Sequence, residues 1–171
     1  HLNYAQELFF SLGKNYTKFK YTNSKGQTLS ELETGTGLFS EFGLAYILND
    51  AENIYYTGSL NYNQYNSKAY INDRRYEWET SYLGIKNTLS LKLFETRTSF
   101  STKICLGFNL SHIIAGKQTN NGEIYKITAN KEFKGIFLQP LTGVEFNYEI
   151  NSDIYVSCGY YYSYSMNLNT S

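Results

Sequence analysis

The chain has 171 residues, the size of one domain, and its 15 basic and 15 acidic side chains balance to a formal net charge of zero. No overall field therefore draws it to nucleic acid, which excludes that class of partner. The 18 tyrosines and 11 phenylalanines with a single proline predict one all-β domain over residues 1–171, and no apolar stretch is long enough for a transmembrane helix.

Apolar and polar residues alternate along seven segments, as expected for strands whose successive side chains point to opposite faces. The alternation is unbroken in the fifth segment, where Phe100, Ile104 and Phe108 share one parity while Cys105 and Asn109 share the other. In chain order, the predicted strands are residues 8–21, 36–48, 54–66, 76–93, 99–110, 136–150 and 154–166.

The connections between these strands alternate in length. In an up-and-down meander every second connection lies at the same end, so the short turns share one end and the long loops share the other. This asymmetry is typical of outer-membrane barrels. The predicted short turns are residues 49–53, 95–97 and 151–153, and the predicted long polar loops are residues 22–35, 67–75 and 111–134.

The two parities predict which environment each face meets. The polar parity is rich in Gly, Ser, Thr and Asn, which suit a narrow interior, whereas a solvated exterior would carry many Lys and Glu. On the apolar parity, aromatic residues such as Tyr46, Tyr62 and Tyr148 lie near the ends of the strands, where they suit a lipid interface. A membrane barrel is therefore favoured over the alternative, a soluble lipocalin-like barrel or sandwich whose apolar parity would line the inside.

With this pattern, nearly the whole chain resembles the small OmpA/OmpX-like outer-membrane β-barrel proteins of Gram-negative bacteria. Its Asn- and Tyr-rich, Pro-poor composition is similar to members from Bacteroidota. The resemblance implies an antiparallel up-and-down transmembrane β-barrel in the bacterial outer membrane, in contact with lipids including lipopolysaccharide. Such barrels have even strand numbers, and a seven-stranded sheet would leave bare edges in hydrocarbon. We therefore expect an eighth strand beyond Ser171, paired with the first strand around Phe10 to Tyr16.

Four charged residues fall on the polar parity near the middle of predicted strands, namely Glu41, Lys86, Lys103 and Glu145. Isolated charges in a closed interior are costly, so we expect the two acids and two lysines to form ion pairs that plug the lumen. A gated ion path and a carboxylate pair for acid–base chemistry are the functional alternatives.

Catalytic and metal-binding patterns are weak in this sequence. His1 is terminal, and His112 lies beside Ser111, whose side chain would point to the opposite face of a strand. Cys105 and Cys158 fall on opposite parities, which argues against a disulfide and leaves two inert thiols. We therefore expect no enzyme activity, no metal and no cofactor.

One surface cluster stands out in residues 72–79, where Arg74, Arg75 and Trp78 form a predicted contact patch at a loop mouth. A solvated loop base is the alternative interpretation. Three functional classes then remain for a membrane barrel with a plugged lumen. An accessory subunit of a larger outer-membrane protein assembly ranks first, a surface adhesin or receptor acting through its loops second, and a lipid-modifying enzyme last.

Overall fold

The computed structural model describes residues 6–20, 32–71, 74–95, 99–130, 133–151 and 154–168. Its strands are β1 (Gln6–Thr17), β2 (Leu32–Ile47), β3 (Ile54–Ile71), β4 (Arg74–Glu95), β5 (Phe100–Asn120), β6 (Glu123–Lys126), β7 (Ile136–Asn151), β8 (Ile154–Ser163) and β9 (Met166–Asn167). The described part of the chain includes no helix long and apolar enough to cross a membrane.

The strands form one antiparallel sheet in the up-and-down order β1-β2-β3-β4-β5-β7-β8, with β6 paired to β5 and β9 paired to β7. The all-β class and the meander predicted from the sequence are therefore confirmed. Among the described residues β1 and β8 do not pair, so the sheet is open rather than closed into a barrel.

The sheet curls so that side chains of distant strands meet on its concave face. Asn61 of β3 bonds to Asn109 of β5, and Tyr65 of β3 bonds to Gln139 of β7. We call the concave side the inner face and the convex side the outer face. Curling brings strands that are neither neighbours in sequence nor neighbours in the sheet into one interior.

Burial follows the two parities. Inner residues such as Asn61 and Cys105 are 3% and 0% exposed, whereas Leu89 and Ile104 on the outer face are 52% and 42% exposed. The structure is thus inside out compared with a soluble protein, because polar groups are buried and large apolar groups are exposed. Exposed apolar residues of the outer face include Phe10, Leu12, Phe42, Leu60, Leu83, Ile85, Leu91, Leu106, Phe108, Phe146, Val156 and Tyr160.

Two predicted loops are wrong, because the strands continue through them. The stretch 67–75 belongs to a hairpin in which Ile71 of β3 faces Arg74 of β4. In the stretch 111–134, β5 runs to Asn120 and turns through Asn121 and Gly122, whose φ angles are 47° and 91°. Positive φ at both central residues makes Asn-Gly the favoured two-residue hairpin turn. Of the predicted loop 22–35, residues 22–31 lie outside the described part of the chain.

These hairpins lie at the end of the sheet opposite the short turn of residues 48–53. There the inner face is apolar and the outer face is polar, which is the reverse of the rest of the sheet. On the inner face next to the hairpins lies an apolar cluster formed by Tyr82 of β4, Ile113 of β5 and Phe137 of β7. The outer face of the hairpins carries ion pairs, including Lys68 with Glu77 at 3.7 Å. The apolar outer face is therefore a band of limited height, which we call the apolar band.

The height of the apolar band can be judged on β4, where it extends from Leu83 to Leu93. A rise of about 3.3 Å per residue makes this segment about 33 Å long. At the strand tilt of about 40° found in membrane barrels, the band would be about 25 Å tall, which matches the apolar height of such barrels.

Candidate functional site

The centre of the interior holds a buried ion pair. The ammonium group of Lys86 on β4 lies 2.9 Å from a carboxylate oxygen of Glu41 on β2, and the two residues are only 8% and 4% exposed. The hydroxyl of Ser59 donates to the other carboxylate oxygen, and the ring of Tyr161 lies 4.3 Å from the Lys86 ammonium. The pair is therefore held by groups from β2, β3, β4 and β8.

Lys103 and Glu145, the other two charged residues predicted to lie inside, each contact a tyrosine. Lys103 lies opposite Glu145 in the pairing of β5 with β7, but its ammonium group lies over the ring of Tyr55, 3.7 Å from the centroid. The carboxylate of Glu145 instead accepts a hydrogen bond from the hydroxyl of Tyr161. The residue pattern did not single out either tyrosine, although each lies on the polar parity of its strand.

A belt of amide side chains crosses the interior next to the ion pair. Asn63 donates to Asn61 at 2.7 Å, Asn61 donates to Asn109 at 2.9 Å, and Asn109 donates to Gln139 at 2.7 Å. The hydroxyl of Tyr65 reaches the same Gln139 at 3.1 Å. These side chains connect β3, β5 and β7 through the interior and form part of the wall of its cavity.

An open slot separates the two edge strands. A cavity of about 2170 Å³ includes the interior and is lined along one side by residues 8–20 and along the other by residues 154–165. Residues of both parities line it, which shows that the backbone edges themselves face the space. Because β1 and β8 run in the same direction, a single strand between them would be antiparallel to both.

The candidate catalytic residues do not come together. Ser111 is buried on the inner face, whereas His112 is exposed on the outer face and its Nδ1 lies 2.8 Å from the carbonyl oxygen of Gly135. Cys105 is buried, Cys158 is exposed, and both are free thiols. Within the described ranges, no group of three or more His, Cys, Asp and Glu residues could hold a metal ion.

The predicted contact patch is divided between the two faces of a hairpin. Arg74 and Arg75 are exposed at the start of β4, and Arg75 forms an ion pair with Glu77. Trp78 is half-buried and stacks on Tyr76, with ring centroids 6.0 Å apart and planes 16° apart. Tyr76 and Trp78 both line the central cavity, whereas Arg75 has the opposite parity, so Trp78 and Arg75 do not form one surface.

A second groove, of about 550 Å³, lies on the outer face just above the apolar band, between β3, β4, β5 and β6. Its lower border is marked by a hydrogen-bonded row in which Gln64 donates to the hydroxyl of Tyr62, which lies 2.9 Å from the hydroxyl of Ser81. Its upper wall carries Lys117 and Lys126. We call this the border groove.

Comparisons with known proteins gave no match to any protein-family model, curated protein or solved structure. The features of the molecule that bear on function are therefore the polarity of the two faces and the geometry of the interior, the slot and the border groove.

Proposed function

We propose that this protein is a non-enzymatic β-barrel of the bacterial outer membrane and serves as an accessory subunit of a larger outer-membrane assembly. The observation that carries the membrane location is the inverted polarity of the sheet, with buried Glu41 and Lys86 and exposed Leu89 and Ile104. Soluble monomers rarely expose contiguous apolar patches above a few hundred Å². Hydrocarbon is the solvent that accommodates this outer face without penalty.

The rival fold, a soluble lipocalin-like binder, would need the apolar parity to line the interior. Leu89 and Ile104 instead point outward, and amide and charged side chains project into the interior. An apolar ligand there would lie against polar groups such as Asn109 and Gln139, to which it offers no hydrogen bond. The soluble alternative is therefore disfavoured.

Closure of the sheet is part of this proposal. In hydrocarbon each unpaired N–H or C=O group costs several kcal/mol, so the edges of β1 and β8 need a partner. We place one further strand, antiparallel to both edges, in the slot between them. The intact mass of the native protein tests the source of this strand. A mass above 19.7 kDa by a loop and a strand would support a strand from the same polypeptide, whereas a mass near 19.7 kDa would rule out a strand beyond these 171 residues.

We infer the role of an accessory subunit by comparing the interior with the outer surfaces as places for a reaction or a contact. The interior groups are bonded to one another, and Ser111 and His112 lie on opposite faces, so the outer surfaces are the favoured contact sites. An adhesin or receptor role is the second candidate, because the hairpins present Tyr70, Arg74 and Arg75 as exposed groups. A lipid-modifying enzyme is the least supported class.

Purification from native membranes in mild detergent tests the assignment. The accessory role predicts a larger outer-membrane protein in stoichiometric amount, retained when residues 68–77 of the β3–β4 hairpin are replaced by an Asn-Gly turn. An adhesin would instead be isolated alone, and the same replacement would abolish its ligand binding. Isolation without a partner from wild-type membranes would contradict the accessory role.

A further inference from the structure

Two lysines face each other directly at the border groove. Lys117 of β5 and Lys126 of β6 are cross-strand partners, and like charges at directly opposite positions destabilise an antiparallel pair. Glu79 of β4 lies 3.2 Å from the Lys117 ammonium and neutralises that lysine on one side. The pair of lysines therefore has one carboxylate for two positive charges.

Lys126 has no carboxylate of its own among the described residues. The acid on the same strand is Glu123, whose carboxylate accepts a hydrogen bond from the hydroxyl of Tyr125. This bond and the charge of Glu123 raise the pKa of Tyr125 above its usual value. Within the described ranges no carboxylate lies within ion-pair distance of Lys126, so the groove has room for one more anion.

The groove has an apolar side as well. Ile114 and Ile124, which line it with the lysines, are 53% and 67% exposed. Below it the outer face continues into the apolar band through Leu110 and Leu83. A ligand that fits this surface carries a negative charge at one end and a hydrocarbon chain at the other.

We propose that the border groove binds the phosphate group of an anionic membrane lipid, with Lys117 and Lys126 at the phosphate and an acyl chain along Ile114 and Leu110. This inference rests on the proposed membrane location and adds to it a lipid class and a position. Ser81 lines the groove between Lys117 and Leu83, at the level where the glycerol region of the lipid would lie.

Native mass spectrometry of the detergent-solubilised protein tests the site with phosphatidylglycerol, and with phosphatidylcholine of the same acyl chains as the reference. Each lysine near a membrane surface contributes about 1 kcal/mol to the binding of anionic lipid. The double variant K117Q/K126Q should therefore bind phosphatidylglycerol about 10- to 30-fold more weakly than wild type. Binding of phosphatidylcholine should not change.

The matched control is K14Q/K18Q, which removes two exposed lysines outside the groove and should leave binding of both lipids unchanged. Equal binding by wild type and K117Q/K126Q, or the same loss in the control variant, would overturn the proposal. Displacement of phosphatidylglycerol by an equal concentration of inorganic phosphate would also overturn it, because the groove would then be a phosphate site.

Detergent dependence is measured on the same samples, so the two proposals can fail separately. A K117Q/K126Q variant that needs detergent but binds phosphatidylglycerol normally contradicts the lipid site alone. A wild-type protein that is monodisperse without detergent contradicts the membrane location. Far-UV circular dichroism confirms that each variant keeps its strands.

Discussion

At the scale of single residues, the stability of the interior depends on compensated charge. Glu41 and Lys86 are each buried, and each is the other's ion-pair partner. Removing one partner of a buried pair leaves an uncompensated charge, which costs far more than the net contribution of the pair. The interior should therefore tolerate the loss of both charges better than the loss of one.

The first prediction concerns this pair. Lys86→Met should lower the free energy of unfolding by about 3 to 5 kcal/mol, because Glu41 stays buried without its cation. The double variant E41L/K86M should recover most of that loss. Urea-induced unfolding of the protein reconstituted in vesicles measures both. Lys68→Met, which breaks an exposed pair with Glu77, is the control and should cost less than about 1 kcal/mol. A double variant as unstable as Lys86→Met would contradict the account.

The second prediction uses the two cysteines, which lie on opposite faces. Cys105→Leu should destabilise the protein by about 1 to 3 kcal/mol, because a larger apolar side chain must enter a packed interior. Cys158→Leu should be neutral, because the new side chain joins the apolar band. Equilibrium unfolding in urea reports both values. The opposite order, with leucine preferred at position 105, would indicate a conventional apolar core.

The sequence located the interior charges but not all of their partners. Period-two alternation assigns Glu41, Lys86, Lys103 and Glu145 to one face without any knowledge of the sheet. Which residues meet across the interior depends on the curl of the sheet. The contact of Lys103 with Tyr55, between strands that are not neighbours, therefore could not be obtained from the pattern.

At the scale of elements, the packing of side chains on the inner face depends on small residues at some positions of the strands. A Cβ atom at Gly84 of β4 would lie 2.7 Å from Oδ1 of Asn109 and 2.9 Å from Oδ1 of Asn61, inside the amide belt. Gly58 is different, because a Cβ atom there meets only the Tyr56 side chain, at 3.7 Å. Replacing glycine by alanine at these two positions therefore separates the effect of a steric clash from the general effect of removing a glycine.

The third prediction follows from this difference. Gly84→Ala should lower stability by about 1 to 3 kcal/mol, because the added methyl group displaces hydrogen-bonded amides. Gly58→Ala should be neutral or stabilising, because alanine restricts the unfolded chain and meets no clash. Thermal unfolding in detergent compares the two, and equal effects at both positions would rule out the tight inner packing.

Element boundaries show where the sequence pattern was misleading. The residues around Lys68 and Tyr76 look like a polar loop because period-two alternation continues there with the polarity of the faces exchanged. Ala69 is buried on the inner face while Lys68 is exposed on the outer face. Beyond the apolar band the outer face is polar and the inner face holds apolar residues, so a rule fitted to the band misassigned these residues as a loop.

At the scale of the whole molecule, the apolar band defines how deep each outer residue would lie in a membrane. Leu89 is central in the band on β4, whereas Ala115 lies above it at the border groove. Charged side chains on the lipid face of a barrel are destabilising in a depth-dependent way. Position in the band should therefore determine the effect of the same substitution.

The fourth prediction is that Leu89→Arg lowers the free energy of unfolding, measured in phosphatidylcholine vesicles, by about 2 to 4 kcal/mol. Ala115→Arg should cost at most about 1 kcal/mol, because its charge reaches the aqueous interface. Equilibrium folding titrations in urea with vesicles present give both numbers. An equal effect of arginine at the two positions would argue against a lipid-facing band.

The dependence of the fold on an amphiphile tests the membrane location most directly. The protein, unfolded in urea, is diluted into buffer with and without detergent micelles and examined by size-exclusion chromatography and far-UV circular dichroism. Because Leu89, Ile104 and the rest of the apolar band face outward, we expect a monodisperse, strand-rich protein only with micelles, and aggregation without them. A monodisperse, folded protein in plain buffer would contradict the account.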